Sequence, residues 1–363
     1  MIEETTASSK AASPPDKSGF AAALQIGNAR FQNALARKPQ RTPPIWLMRQ
    51  AGRYHRHYQA LRAKHSFMEL CKQPELAAEV AYGPVMDFGF DAAILFSDLL
   101  FPLEALGMGL EYTEGGPQLG TQLDEDSIRR LRSVADAWPQ LQFQGDAMRA
   151  TRARIPNDRS LIGFVGGPWT LFVYAVEGTH KGSLTKSKRL LPLFAPFCET
   201  LVPLLERNIE LQLENGAEVV MVFDTAAGEL SPQLFNSQVV PQLRRLTQRN
   251  QARIGYYSKG TQRAHLRNAL FESGNLAGIG VDHSWEIREA FEASARGFVQ
   301  GNFDQALLHA NRDELKQHLS DFLEPLKGRD WPGWICGLGH GVLPATPEDN
   351  VRLFVDTVRE VMQ

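Results

Sequence analysis

"AEVVMVFD" (217–224), "SPQLFNSQVVPQLRRLTQRN" (231–250) and "ARIGYY" (252–257) follow one another and decide the fold class. The first and third segments are short, almost continuous apolar runs, which are typical of strands covered on both faces. The middle segment is amphipathic with the period of a helix. A buried strand, a helix and a second buried strand predict a β-α-β unit with a parallel sheet.

Six further apolar runs continue this alternation along the chain. They lie at 44–49, 91–97, 160–166, 276–281, 297–302 and 333–339. Eight strands alternating with helices predict an α/β fold, a single (β/α)8 TIM barrel. A doubly wound open sheet is the competing arrangement, and it would favour a G-x-G-x-x-G loop after the first strand. "RQAGRY" (49–54) and "GFVGGPW" (163–169) lack that spacing, so the barrel is favoured.

Composition limits the partners of the chain. It has 363 residues with a net charge of -2, so no global field attracts nucleic acid or an anionic membrane. No run reaches the roughly 18 apolar residues of a membrane helix. The three cysteines, Cys71, Cys198 and Cys336, form no C-x-x-C pair and predict free thiols in a reducing compartment. The expected location is the cytoplasm.

The N-terminal segment differs from the rest of the chain. Residues 1–19 are mostly small and polar, contain two prolines and lack the apolar core of a secretory signal. They are predicted to form a disordered tail. No repeat or linker follows, so residues 20–363 are predicted to form the barrel.

Polar side chains follow several predicted strands, at the barrel face where catalysis takes place. Arg49 and Arg53 flank a turn glycine, and their guanidinium groups could bind an oligoanion through paired hydrogen bonds. From spacing alone, a structural ion pair with a neighbouring helix is the favoured explanation. Asp98 ends an apolar strand, where it could accept N–H groups from a ligand or cap the next helix.

Two further candidates are less distinctive. Tyr174 lies in an apolar helical segment, where a tyrosine is usually part of the core. His340 stands between glycines and could contact a ligand, transfer a proton or be a buried structural histidine.

His55 and His57 have H-x-H spacing, but Arg56 between them opposes a cation, so no metal site is expected. No G-x-S-x-G motif supports nucleophilic catalysis.

Five segments carry a family resemblance. They are "PPIWLMRQAGRY" (43–54), "DAAILFSDLLFPLEALGMGL" (91–110), "GFVGGPWTLFVYAVEG" (163–178), "FDTAAGELSPQLF" (223–235) and "GLGHGVLPATPEDNVRLFV" (337–355). In this order they resemble the uroporphyrinogen decarboxylase family, from about residue 30 to the C-terminus. The resemblance implies a TIM-barrel monomer that pairs into a homodimer and an enzyme without cofactor or metal.

The resemblance also implies a substrate and a reaction. Uroporphyrinogen III carries an acetate and a propionate on each of its four pyrroles. The four acetates would become methyl groups, which yields coproporphyrinogen III and four molecules of carbon dioxide in haem and tetrapyrrole biosynthesis.

The matching motifs assign roles to residues of this chain. Asp98 and Arg49 are implied to be catalytic, with Asp98 accepting the pyrrole N–H groups. Asp98 would stabilise the cation that forms when a pyrrole carbon is protonated, an electrostatic effect of several kcal/mol in order of magnitude. The proton donor is left open. The residues implied to bind substrate are Arg49, Gln50, Ala51, Gly52, Arg53, Asp98, Tyr174, Thr225 and His340, and the expected apolar wall is Ile94, Phe96 and Phe223.

Three departures from the family pattern leave alternatives open. "HRH" (55–57) stands where the family has Leu-Pro-Glu, Thr225 replaces a serine, and "VEGTHKGS" (176–183) replaces a more glycine-rich segment. One alternative is a corrinoid-linked methyltransferase of the same superfamily, which would need a zinc-thiolate site that "GYYSKGTQ" (255–262) does not offer. The other is a tetrapyrrole binder without catalytic activity.

Overall fold

A curved parallel sheet forms the centre of the computed structural model, which describes residues 26–113, 115–180, 182–294 and 296–363. The segment expected to be a tail, residues 1–19, lies outside the described residues, as do residues 20–25. The strands are β1 (Ala92–Ile94), β2 (Glu111–Thr113), β3 (Gly116–Gln118), β4 (Ser160–Gly166), β5 (Val219–Asp224), β6 (Ile254–Ser258), β7 (Gly278–Gly280), β8 (Phe298–Phe303) and β9 (Trp334–Leu338).

The strand order confirms the α/β TIM barrel. Within the described residues the sheet runs β1-β4-β5-β6-β7-β8-β9, and every neighbouring pair is parallel. Seven of the eight predicted strands are therefore present, each within a few residues of its expected bounds.

The predicted strand at 44–49, the first in chain order, is wrong, because this segment does not form a regular strand. Ile45 forms only an isolated bridge to Cys336 of β9, although the segment does lie between β9 and β1. On one side the Cys336 N–H donates to the Pro44 carbonyl at 2.9 Å, and on the other the Asp91 N–H donates to the Ile45 carbonyl at 3.0 Å. The Ile45 N–H donates to the Asp91 carboxylate at 2.8 Å instead of to a backbone carbonyl. Pro43 and Pro44 have no N–H to donate, so a full ladder does not form here.

Helices and helical turns surround the sheet. The α-helices are α1 (Ala29–Leu35), α2 (Arg56–Arg62), α3 (Phe67–Lys72), α4 (Pro74–Phe88), α5 (Phe101–Leu103), α6 (Val134–Ala137), α7 (Gln142–Arg154), α8 (Pro168–Glu177), α9 (Thr185–Arg189), α10 (Phe194–Glu214), α11 (Pro232–Leu234), α12 (Val240–Thr247), α13 (Arg263–Leu266), α14 (Ala269–Glu272), α15 (Ile287–Ala293), α16 (Arg312–Leu323) and α17 (Glu348–Val361). Among the helices of the described residues, none is long and apolar enough to cross a bilayer.

The apolar strands divide their side chains between two cores. On β5, Val219, Met221 and Phe223 belong to a cluster inside the barrel, whereas Val220 and Val222 belong to the cluster beneath the helices. Because successive side chains of a strand point to opposite faces, both faces must be apolar. This explains the unbroken apolar runs in the sequence.

A two-stranded insertion follows β1 and was not predicted. Strands β2 and β3 pair antiparallel, with Tyr112 opposite Pro117. Both residues line the groove at the carboxyl ends of the barrel strands. The hairpin is too short and too polar to show a recognisable strand pattern in the sequence.

Candidate active site

Two connected hollows lie at the carboxyl ends of the barrel strands. The inner cavity, of about 180 Å³, is lined by Met48, Arg49, Ala51, Ile94, Leu95, Phe96, Ser97, Asp98, Leu99, Leu100, Pro117, Phe164, Tyr174, Phe223, Thr225 and His340. An outer groove of about 920 Å³ also contains Gly52 and Arg53, and the residues that it shares with the cavity are Arg49, Ala51, Phe96, Ser97, Asp98 and Pro117. The fold therefore brings together eight of the nine residues expected to bind substrate, although they come from five separate segments of the chain.

Arg49 occupies a tight turn at the boundary between the cavity and the groove. Its backbone φ of 58° lies in the left-handed region, which costs on the order of 1–3 kcal/mol for a residue with a side chain. The Gln50 N–H closes the turn by donating to the Leu47 carbonyl at 3.1 Å. A Cβ at Gly341 would lie 2.5 Å from the Arg49 Cδ, so that glycine leaves space for the arginine stem.

The guanidinium groups of Arg49 and Arg53 are available for a ligand. Within the described residues, neither side chain forms an ion pair or a hydrogen bond. The structural ion pair considered from the sequence is therefore not present in this part of the chain. Both arginines are exposed, and Arg49 lines the inner cavity and the outer groove, whereas Arg53 lines the groove alone.

Asp98 supplies a carboxylate to a mainly apolar cavity. One of its oxygens accepts the Leu100 N–H at 2.8 Å, which closes a local turn and does not cap α5, because the N-cap of that helix is Leu100. The side chain also lines both hollows. Burial raises the pKa of Asp98, while the Leu100 amide, Tyr112 and Arg49 act in the opposite direction. The Tyr112 hydroxyl acts at longer range than a hydrogen bond, since it has no bonded partner among the described residues. A ligand that offers N–H donors would favour the ionised carboxylate.

Tyr174 extends from α8 into the inner cavity. Its hydroxyl is hydrogen-bonded to Nδ1 of His180, which follows the helix. Burial and the nearby Asp98 raise the pKa of Tyr174 to about 12, although Arg49 opposes them. The residue is thus packed against the core, as its apolar segment indicates, and also faces the cavity.

His340 is held by a buried tyrosine. The Tyr257 hydroxyl donates to the Gly339 carbonyl at 2.7 Å and lies 3.0 Å from the His340 Nδ1. Tyr257 has one hydroxyl proton, so the histidine Nδ1–H donates to the tyrosine oxygen and Nε2 is left as an acceptor. Burial, assisted by Arg49 and Lys259, lowers the pKa of His340 to about 3, so the ring is neutral near pH 7.

Thr225 is positioned by the buried Asp224 at the end of β5. The Asp224 carboxylate accepts the Thr170 N–H at 3.0 Å, the Thr170 hydroxyl at 2.6 Å and the Tyr256 hydroxyl at 3.0 Å. Thr170 belongs to α8, so this carboxylate ties the end of β5 to the helix that carries Tyr174. Burial raises the pKa of Asp224, and the hydrogen bonds from Thr170 and Tyr256 oppose this effect only in part.

Gln50 does not join the other expected substrate-binding residues. Its side chain is buried and lies outside the lining of both hollows. The amide nitrogen donates to the Ala92 carbonyl at 3.0 Å, and the amide oxygen accepts the Leu47 N–H at 3.4 Å. Its amide therefore links the turn that holds Arg49 to β1.

The "HRH" departure lies beside α4 and away from the cavity. The buried His55 bonds Asp87 at 2.7 Å, and His57 lies 3.2 Å from a carboxylate oxygen of Glu79. Arg56 is 82% exposed and reaches Glu348. None of the three side chains lines either hollow. The side chains of the departure contact α4 and Glu348, and they do not contribute to the cavity lining.

Helix α2 supplies groove residues that the sequence reading missed. Tyr58 and Arg62 line the outer groove on the same side as Arg53. Their spacing of four residues places them on one face of a helix, and this signal was present in the sequence.

The described part of the chain contains no group of three or more His, Cys, Asp or Glu side chains arranged to hold a metal ion. Its three cysteines are free and buried.

Comparisons with known proteins identify the family of this chain. The family model for uroporphyrinogen decarboxylase (URO-D) matches residues 27–361. A uroporphyrinogen decarboxylase of Myxococcus xanthus is 36% identical over 344 residues, which cover 91% of this chain and 96% of that protein. One of Chloroflexus aurantiacus is 37% identical over 344 residues, which cover 91% of this chain and 95% of that protein.

Solved structures agree on the fold alone. A methyltransferase from Methanosarcina mazei superposes with a TM-score of 0.73 at 21% identity, over 93% of this chain and 98% of its own. A B12-independent methionine synthase from Shewanella sp. W3-18-1 gives 0.53 at 14% identity, over 82% of this chain and 89% of its own. With a family model that spans nearly the whole chain and relatives that align over nine tenths of it, the chain belongs to the uroporphyrinogen decarboxylase family.

Proposed function

We propose that this protein removes the carboxyl groups from the four acetates of uroporphyrinogen III and releases coproporphyrinogen III, in tetrapyrrole biosynthesis and without a cofactor. Family membership supports the reaction class. The observation that carries the proposal for the site is the carboxylate of Asp98, which lines an apolar-walled cavity together with Arg49, whose guanidinium forms no ion pair within the described residues.

The shape and charge of the two hollows suit this ligand. A uroporphyrinogen ring offers pyrrole N–H donors at its centre and carboxylates around its edge. Asp98 can accept the N–H groups while Ile94, Phe164 and Phe223 contact the ring carbons. Arg49, Arg53 and Arg62 lie along the groove, where their guanidinium groups can bind peripheral carboxylates. The groove is large enough to leave part of the ring edge in water.

The reaction needs a temporary electron sink, which the pyrrole can provide. Protonation of a pyrrole carbon gives a cation, and the electrons of the bond to carbon dioxide then flow into that ring. The exocyclic carbon next takes up a proton to become a methyl group, and the ring carbon loses its proton. The negative charge of Asp98 stabilises the cation. This effect is large because the carboxylate is held in position before the reaction begins.

An anaerobic turnover assay tests the proposed function. The purified protein, without added metal or cofactor, is expected to release four molecules of carbon dioxide per uroporphyrinogen III and to yield coproporphyrinogen III. Product chromatography and carbon dioxide release are measured together, so that partial decarboxylation is also detected. Tight binding of the substrate without release of carbon dioxide would overturn this proposal and favour a tetrapyrrole binder.

The methyltransferase alternative finds little support in the donor groups of the site. A zinc-thiolate centre needs cysteines beside the cavity. Within the described residues, neither hollow is lined by a cysteine, and Cys336 is buried in β9. The structural likeness to a methyltransferase, at 21% identity, concerns the fold only.

We also propose that the chain acts as a homodimer in the cytoplasm. The family resemblance implies pairing of barrel monomers, and the buried free thiols suit a reducing compartment. Light scattering at the concentrations of the turnover assay should then give twice the mass of the chain. A mass equal to one chain, in a fully active preparation, would contradict the dimer.

A further inference from the structure

A histidine outside the family pattern contacts the cavity tyrosine. His180 lies in "VEGTHKGS" (176–183), the segment that departs from the glycine-rich family version. Its Nδ1 is hydrogen-bonded to the Tyr174 hydroxyl, and the two ring centroids are 5.1 Å apart with planes tilted by 56°. Tyr174 lines the inner cavity, so His180 reaches the site through a residue that a ligand would touch.

We propose that His180 is a positioning residue, which decides whether Tyr174 offers the cavity a proton or a lone pair. The proposal rests on the proposed function in one respect, the polycarboxylate ligand. It adds a specificity-determining group that the motif matches do not assign.

The choice follows from the single proton of the tyrosine hydroxyl. When Nδ1 of His180 is unprotonated, Tyr174 donates to it and presents only lone pairs to the cavity, which suit a pyrrole N–H. When Nδ1 carries a proton, it donates to the tyrosine oxygen instead. The Tyr174 O–H can then turn to the cavity and donate to a carboxylate. One histidine nitrogen thus sets which part of the substrate the tyrosine can bind.

A bound polyanion would favour the protonated form of His180, whereas the positive charges of Arg49 and Lys259 oppose it. Asp98 and Arg49 act on Tyr174 from two other segments, and His180 is close enough to His340 to contribute to the lowering of its pKa. A positive His180 therefore adds charge to the side of the cavity where Arg49 lies. Carboxylates of a bound ligand raise the proton affinity of a nearby imidazole. Ligand binding is thus expected to be accompanied by proton uptake.

A pH dependence near neutrality does not come from Tyr174 or His340. Tyr174 has a pKa raised to about 12, and His340 has a pKa lowered to about 3, so neither titrates near pH 7. Asp98 has a raised pKa, but it is retained in a His180 variant, so its contribution cancels in the comparison with wild type.

Binding of uroporphyrin I, an octacarboxylate macrocycle, tests the proposal without any turnover. Fluorescence titration from pH 6 to 8.5 and calorimetry in two buffers of different ionisation enthalpy would be applied to wild type, His180→Gln, Tyr174→Phe and the double variant. Wild-type affinity is expected to rise as pH falls, by at most about tenfold per pH unit for one linked proton. His180→Gln should show a flatter profile and a smaller proton uptake.

The double variant tests whether His180 acts through Tyr174. If it does, the two substitutions should be non-additive, and the double variant should bind about as well as the weaker single variant. His318→Gln on α16 is the matched control, since His318 lines neither hollow, and it should behave like wild type. Melting temperatures of all variants would be compared to detect any loss of fold.

The contrary results are distinct from a failure of the proposed function. Full pH dependence in His180→Gln, or additive effects in the cycle, would reduce the contact to packing and overturn the inference. Wild type that binds uroporphyrin but releases no carbon dioxide would overturn the decarboxylase proposal alone. Wild type that fails to bind uroporphyrin I would overturn the inference, while release of carbon dioxide from uroporphyrinogen III would still support the decarboxylase proposal.

Discussion

Asp98→Asn is expected to lower the turnover number for uroporphyrinogen III by about 10³-fold while the fold persists. The amide oxygen can still accept the Leu100 N–H at this position, so the local turn keeps its hydrogen bond. The substitution removes the negative charge that would stabilise the pyrrole cation. Loss of one preorganised electrostatic group typically costs about 10²–10³-fold in turnover. Steady-state kinetics under anaerobic conditions would measure the effect.

Asp304→Asn provides a matched control. Asp304 also follows a barrel strand and also accepts a backbone N–H, that of Ala306 at 2.9 Å, but it lies outside both hollows. Its variant should keep a turnover number near that of wild type. If Asp98→Asn retained more than a tenth of wild-type turnover, the central-carboxylate role would be wrong.

Asp98→Asn should also change how the free energy of unfolding depends on pH. Because burial raises the pKa of Asp98, the folded state binds its proton more tightly than the unfolded state. The wild-type free energy of unfolding therefore loses this contribution as pH rises from the unfolded pKa, about 3.9, through the raised folded pKa. Asp98→Asn removes that loss. Relative to wild type, the variant should gain stability above this window and gain none below it, as denaturant titrations at several pH values would show.

Arg49→Lys is expected to lower kcat/KM by about 10- to 100-fold, although the positive charge is kept. A guanidinium can form two parallel hydrogen bonds with one carboxylate, and an ammonium loses that geometry. Hydrogen bonds to charged groups contribute about 1.5–3 kcal/mol each, which corresponds to the expected range. A rise in KM alone would indicate a role in binding, whereas a fall in kcat would support the catalytic role implied by the family.

Gly341→Ala separates the placement of Arg49 from its charge. The added methyl group would meet the Arg49 side chain and displace it without altering its chemistry. It should therefore reproduce part of the Arg49→Lys defect.

Arg56→Lys is the control for Arg49→Lys, because Arg56 is exposed and pairs with Glu348 away from the hollows. Equal kinetics in Arg49→Lys and Arg56→Lys would contradict a substrate contact by Arg49.

The sequence determined the fold class and the position of the site along the chain. Apolar runs such as 160–166 and 217–224 had to be strands buried on both faces, since no other short element hides so many consecutive apolar side chains. Once parallel strands were predicted, the residues after them had to share one end of the barrel. Asp98, Tyr174, Thr225 and His340 could thus be placed together before any distance was known.

The sequence alone could not decide what each of these side chains contacts. Gln50 and His55 lie within five residues of Arg49 or Arg53, yet both are turned away from the hollows. The local pattern holds no signal for this, because a side chain's direction depends on the packing of distant elements such as α4 and β1.

Only the tertiary structure decided how the barrel closes and what surrounds the ligand. Pro43 and Pro44 prevent a full hydrogen-bond ladder in the segment 44–49. The Ile45 N–H therefore donates to the Asp91 side chain instead of to a backbone carbonyl of a neighbouring strand. The hairpin of β2 and β3 brings Tyr112 and Pro117 to the groove, and the loop after α8 brings His180 to Tyr174. Each of these contacts joins residues far apart in sequence or held by loop conformation. The periodicity of one segment carries no information about contacts between distant residues or about the conformation of a loop.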